Sequence, residues 1–347
     1  MRYEDLYIAG TGWWHPKTVS VEDAVADGRC ELAAAQRTQT RRVAIAGPED
    51  SQPDMAVRAG KQALTRSGHQ PEDVELLLHA VANYNGLDGW NAASYVQHRV
   101  LGQAGVSYEV RQLSNGGVAA VQLAAAYLDG HPGRAAMITA SDKFTEPAWN
   151  RWRSSAGLLF ADGAAAVVLS RRGGFARILS AVTVSDPELE GLQRGDQPFH
   201  AYADPAQYPV ELEARTLEFS DVMPLDESGP RRGAGMRRAS RQALDAAGVR
   251  MEDISRFVAP NFGYDLMRLS CLLPLGIELE RTTWEWGSQI GHTGAADQFA
   301  ALSHLVESRQ VTVGDHVMII GVGGGFNWTS IVLEIVDLPD WSEQSAE

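Results

Sequence analysis

Short apolar runs bounded by glycine turns alternate along this chain with longer, almost uncharged stretches. Ala164-Ala165-Ala166-Val167-Val168-Leu169 follows Gly163, and the runs Val317–Ile320 and Ile331–Leu333 flank Gly323-Gly324-Gly325. Their lengths suit buried strands. Gly116 to Leu128 reads Gly-Gly-Val-Ala-Ala-Val-Gln-Leu-Ala-Ala-Ala-Tyr-Leu, long and apolar enough for a buried helix. Phe299–Val306 predicts a second apolar helix, and Gly235–Ala247 a third opened by arginines. Strands alternating with helices predict parallel sheets covered by helices, an α/β fold.

The pattern occurs twice. One half runs through the turn at Ser114 and its helix to the Leu159–Leu169 strand. The other runs through the turn at His292 and its helix to the closing strands. The charged glycine turn Arg171-Arg172-Gly173-Gly174 divides them, giving halves 1–173 and 174–347. A pseudo-twofold axis between such halves would put both turns at one central crevice. The stretch Ser185–Pro224 is polar and shows little periodicity, so it predicts a long insertion over the mouth of that crevice.

Both turns carry reactive side chains. Ser114 ends an apolar run at the start of a helix, where free N–H groups favour a developing anion. The dipole contributes only about 0.3–1 kcal/mol and cannot ionise an alcohol, so a base is needed. His292 is of the right chemistry, and Asp297, five positions on across a turn, can reach back to fix its tautomer. Each residue taken alone has a plainer reading. Ser114 suits a helix cap, His292 a loop or core histidine, and Asp297 a solvated helix residue.

Composition limits the partners. The 347 residues carry a formal net charge of −14, which argues against nucleic acid. No run of 18 apolar residues and no basic-then-apolar leader occurs, so a soluble cytoplasmic protein is expected. Cys30 and Cys271 are the only cysteines, and neither a disulfide nor a metal site is expected.

Nearly the whole chain resembles the ketosynthase III branch of the thiolase-like condensing enzymes. The resemblance rests on Ile8-Ala9-Gly10-Thr11-Gly12-Trp13-Trp14-His15-Pro16, on Arg41-Arg42-Val43-Ala44, on Leu159–Leu169 and on Gly314-Asp315 through Trp328. It implies a five-layered α/β/α/β/α fold, a homodimer, no bound cofactor, and acyl-coenzyme A or acyl-carrier protein as donor substrate. It also implies an oxyanion hole from the backbone N–H groups of Ser114 and Gly325. Arg153 would contact the donor. Trp90 would stand where relatives reach into the partner's acyl pocket, although it also suits an interface filler. His200, in the polar insertion, is either a substrate contact or a surface residue. Arg231, Arg232, Arg237, Arg238 and Arg241 form a candidate patch for a carrier protein or coenzyme A, or else a solvated helix face.

Three positions depart from that family. Ser114 stands for its cysteine, Asn261 for its histidine and His292 for its asparagine. A serine needs a base, and His292 with Asp297 supplies one. The expectation is therefore an acyltransferase that self-acylates Ser114 and passes the group on. The alternatives are a priming ketosynthase that condenses a starter with malonyl-carrier protein, and an inactive partner subunit.

Overall fold

The computed structural model describes residues 1–131, 134–199 and 204–341. Its strands are β1 (Tyr7–Trp14), β2 (Thr18–Ser20), β3 (Arg42–Ala44), β4 (Val74–Ala80), β5 (Val106–Val110), β6 (Ala135–Asp142), β7 (Gly163–Ser170), β8 (Ala176–Ser185), β9 (Ile254–Val258), β10 (His316–Gly323) and β11 (Asn327–Ile335). β2 and β3 pair by themselves, and the rest form one sheet in the order β5-β4-β6-β7-β1-β8-β11-β10-β9.

The seam between β1 and β8 is narrow, with only Tyr7 opposite Arg177 and Ile8 opposite Ala176. Outward from it the two sides repeat. β1 is antiparallel to β7, β7 to β6, and β6 parallel to β4. On the other side β8 is antiparallel to β11, β11 to β10, and β10 parallel to β9.

Helices lie in three layers around these strands. The Gly116–Asp129 helix touches β4 and β6 on one side and β8, β10 and β11 on the other, while the Asp297–Glu307 helix touches β1 and β7 as well as β9 and β10. These two apolar helices are the middle of a thiolase-like five-layered fold. Val121, Phe299 and Leu302 share one buried cluster with Leu78, Ile138, Ile319 and Ile331. The Gln52–Ser67 helix covers the outer face of β1, β6 and β7, and the Leu225–Ala247 helix covers β8 and β11.

That last helix begins ten residues before the start expected at Gly235. The structure runs straight through Gly229, Pro230 and Gly233. Gly235 is where the helix meets the sheet most closely, since a Cβ there would lie 2.4 Å from the Trp328 ring. The insertion at Ser185–Pro224 also holds more structure than expected, including helices Gly191–Arg194 and Leu212–Phe219. Leu189, Leu192 and Phe219 bury themselves in the outer core of the second half.

Candidate active site

Ser114 lies in the single turn Leu113–Asn115 that leads into the Gly116–Asp129 helix. Leu113 there has φ +47°, a left-handed conformation that a bulky side chain rarely adopts. Small residues let this turn meet the one at 292–297. A Cβ on Gly117 would lie 2.6 Å from the carbonyl oxygen of Ala295, and one on Gly116 would lie 3.6 Å from the Ala295 Cβ.

The side chains join where the turns meet. Ser114 Oγ is 2.8 Å from His292 Nε2, and His292 Nδ1 is 2.6 Å from Asp297 Oδ2. Asp297 is fully buried and all its other partners donate. The Asn261 amide N–H reaches Oδ2 at 2.8 Å, and the Thr293 N–H and hydroxyl reach Oδ1 at 2.7 Å each. The partner at Nδ1 accepts only, so that nitrogen carries the proton and Nε2 presents its lone pair to Ser114. Phe160 and Phe262 cover the imidazole, with ring centroids 5.9 and 5.5 Å away.

Asn261 supports this arrangement from outside it. Its side-chain Nδ2 donates to the Gly291 carbonyl at 3.0 Å, and its Oδ1 is buried without a partner. The carboxamide oxygen faces Gly287, where a Cβ would stand 2.3 Å away. This carboxamide is thus engaged with main chain, and the backbone N–H of Asn261 braces Asp297.

The glycine hairpin between β10 and β11 packs on the Ser114 turn. A Cβ on Gly323 would lie 2.4 Å from the Gln112 carbonyl, and one on Gly324 2.7 Å from the Leu113 side chain. Gly325, at φ +122°, completes the bend. Asn115 fastens the turn to β11 by donating to Asn327 and, at 2.9 Å, to Thr329. The sequence pointed to neither Asn115 nor Asn327, though a carboxamide directly after Ser114 is a usable signal. Asp142, treated below, was missed as well; an acid closing an apolar strand was its signal.

The remaining candidates lie outside these two turns in the chain. Trp90 is 37% exposed and packs on Tyr95, with ring centroids 5.6 Å apart. Arg153 is exposed and makes a loose contact of 3.7 Å with Glu31. It borders a cavity of about 560 Å³ that Arg29, Trp149 and Trp152 also line. His200 lies outside the described residues. Of the five arginines, Arg237, Arg238 and Arg241 are exposed. Arg231 is not a free cation, because Asp186 and Glu188 bind it at 2.7 and 2.8 Å and hold its proton more firmly. Arg232 is largely buried, which lowers its pKa, and its Nε has no partner. The exposed surface of the cluster is therefore smaller than the sequence suggested.

Neither thiol competes with Ser114. Both cysteines are free and buried, and burial pushes Cys271 up to about 12. Among the described residues no group of His, Cys, Asp and Glu has the makings of a metal site. No helix among them is long and apolar enough to cross a membrane.

These features meet their counterparts in known proteins. The model of 3-oxoacyl-[acyl-carrier-protein] synthase III matches residues 108–187, and its C-terminal model matches residues 244–335. The chain belongs to this ketosynthase III-like family of the thiolase superfamily. β-Ketoacyl-[acyl-carrier-protein] synthase III of Roseiflexus castenholzii is 27% identical over 298 residues, covering 86% of this chain and 87% of the relative. The solved structure of ChlB3, described as an acyltransferase, is 34% identical, covers 96% of this chain and 98% of its own, and superposes with a TM-score of 0.91. The synthase III structure from Aquifex aeolicus, 23% identical with a TM-score of 0.76 over 95% of this chain and 99% of its own, shares the fold.

Proposed function

We propose that this chain is an acyltransferase that carries the acyl group on Ser114. The observation that carries the reading is the relay of 2.8 and 2.6 Å from Ser114 through His292 to Asp297. In the first half-reaction Nε2 takes the serine proton as Oγ attacks the thioester carbonyl of a short acyl-coenzyme A or acyl-carrier protein. The N–H groups of Ser114 and Gly325 receive the oxyanion. Collapse breaks the C–S bond, and the imidazolium gives its proton to the departing thiolate. In the second half-reaction an acceptor alcohol, amine or thiol loses its proton to Nε2 and attacks the ester. The C–O bond to Ser114 breaks and the proton returns to Oγ. Asp297 orients the imidazole and stabilises its cation in both half-reactions.

Decarboxylative condensation needs donors aimed at an enolate. The engagement of Asn261 with Gly291 leaves its amide unsuited to that role, and His292 is occupied with Ser114. Transfer without carbon–carbon bond formation is therefore the better reading. The likeness to ChlB3, named as an acyltransferase, supports it. Natural-product pathways such as that of the R1128 priming ketosynthase, a fold relative, are the setting we favour. An acidic carrier protein would meet Arg237, Arg238 and Arg241 beside a cavity of about 320 Å³.

We also propose a homodimer. β5 is the outer strand of the first half and pairs only with β4, while Val106 and Tyr108 on it are 44% and 57% exposed. A bare apolar edge of this kind invites a second copy. The function is tested by intact-protein mass spectrometry with a panel of short acyl-coenzyme A and acyl-carrier donors. An adduct mapped to Ser114 is expected. Its absence with every donor, or its presence elsewhere, overturns the reading.

A further inference from the structure

Asp142 closes β6 on the inner side of the site and is fully buried. Its carboxylate accepts from main-chain amides alone. Oδ1 takes the N–H groups of Ala82 and Asn83 at 2.9 Å each, and Oδ2 takes that of Ala295 at 2.9 Å. Gly294, at φ +66°, sits so close that a Cβ would lie 2.2 Å from Oδ2. One side chain thus clips the Thr293–Ala296 turn, which spaces His292 from Asp297, to the loop that follows β4.

Burial pushes Asp142 up to about 7, against the pull of the three amides and of the His292 charge. A buried carboxylate without a cation is costly. The other charges nearby do not relieve it. Asp162 is held by Arg151 at 3.0 Å, and the Lys143 ammonium donates to the carbonyls of Gly47 and Asp50. Around His292 stand Asp297, Ser114, the rings of Phe160 and Phe262, and Asp142.

We infer that Asp142 is a positioning residue for acyl transfer: by clipping the Thr293–Ala296 turn to the loop after β4 it holds His292 Nε2 against Ser114 Oγ. The inference rests on the acyltransferase reading and is tested without any acyl donor. A fluorophosphonate reagent labels Ser114 directly, and its rate is followed alongside the melting temperature and the downfield proton NMR signal of the His292 Nδ1–H. Asp142→Asn sets an amide NH2 against one of the main-chain N–H donors, so labelling should slow by roughly tenfold or more and the Nδ1–H signal should shift or broaden. Asp142→Glu keeps the acceptors but displaces them, so it should change both readouts in the same direction. A folded Asp142→Asn protein that labels at the wild-type rate, or that slows with an unchanged Nδ1–H signal, overturns the inference. If that variant does not fold, Asp142→Glu decides on the same two readouts. Wild-type protein whose Ser114 takes no label would instead sink the nucleophile reading itself.

Discussion

The carbonyl oxygen of Ala295 faces Gly117 so closely that a Cβ would come within 2.6 Å of it. This contact sets the distance between the Ser114 turn and the His292 turn. Gly117→Ala should therefore push the turns apart while leaving most of the core intact. A displacement near 1 Å typically costs on the order of 10²-fold in rate. Labelling of Ser114 should fall by that order while the urea unfolding midpoint changes little. Full activity in Gly117→Ala would show that the spacing is not critical.

The relay should behave as one unit. Ser114→Ala is expected to abolish the acyl adduct, and His292→Ala to slow its formation by several orders of magnitude. Asp297→Asn should cost roughly 10⁴-fold, by presenting the wrong tautomer. The combined His292→Ala and Asp297→Asn protein should be little worse than His292→Ala alone. Independent, multiplying losses in single-turnover acylation would argue against the relay.

Reaction type has a direct readout. Protein acylated on Ser114 and supplied with labelled malonyl-carrier protein should release no labelled carbon dioxide above background. Incubation with a panel of alcohols, amines and carrier thiols should discharge the acyl group to at least one of them. A β-ketoacyl product would identify a priming ketosynthase instead.

Acid stability has a contribution from His79, on β4. It is fully buried, bonded through Nδ1 to Thr139 at 2.9 Å, and burial lowers its pKa from 6.5 to about 4. The unfolded chain binds a proton there between those pH values and the folded chain does not. Stability should thus fall as pH drops through 6.5 toward 4, by about 3 kcal/mol in total from this residue. Asp142, whose pKa is raised, acts in the opposite sense: its ionisation costs stability as pH rises toward about 7. Only a comparison of variants separates the two. Relative to wild type, His79→Gln should shift the change in urea midpoint between pH 6.5 and 4 toward greater stability at the acid end, and an unchanged pH dependence would exclude His79.

The proposed dimer is tested at its edge. Tyr108→Lys puts a charge on the bare face of β5, a device that natural sheets use against edge pairing. Sedimentation should show the wild-type chain as a dimer and the variant shifted toward monomer. A wild-type monomer at micromolar concentration would remove the proposal.

Much of the fold was legible because burial writes itself into apolar runs. The helix at Gly116 was predicted to within a residue of its observed end at Asp129, and the closing strands with their glycine bend emerged where expected. The helix expected from Gly235 starts ten residues earlier, at Leu225, because its first turns are held by packing that no apolar run announces. Gly235 itself is small for the sake of Trp328. Ser114, His292 and Asp297 could be named because they lie at turns into apolar helices. Asp142, Asn115 and Asn327 were not named, because an acid closing a strand and a carboxamide in a turn are weak local signals until their distant partners are known. Charge clustering misled in turn: the Arg231 neighbours that neutralise it lie more than forty residues upstream, at Asp186 and Glu188.

The repeat in strand order sets when, during synthesis, the two turns can meet. The proposed nucleophile belongs to the first repeat and its proposed base to the second, His292 lying 178 positions after Ser114. A chain emerging from the ribosome displays the serine long before any imidazole exists to activate it. An alcohol in that state is inert toward the cell's thioesters. On the proposed mechanism reactivity is switched on only when the second repeat closes over the first, so an incomplete chain would be a harmless one.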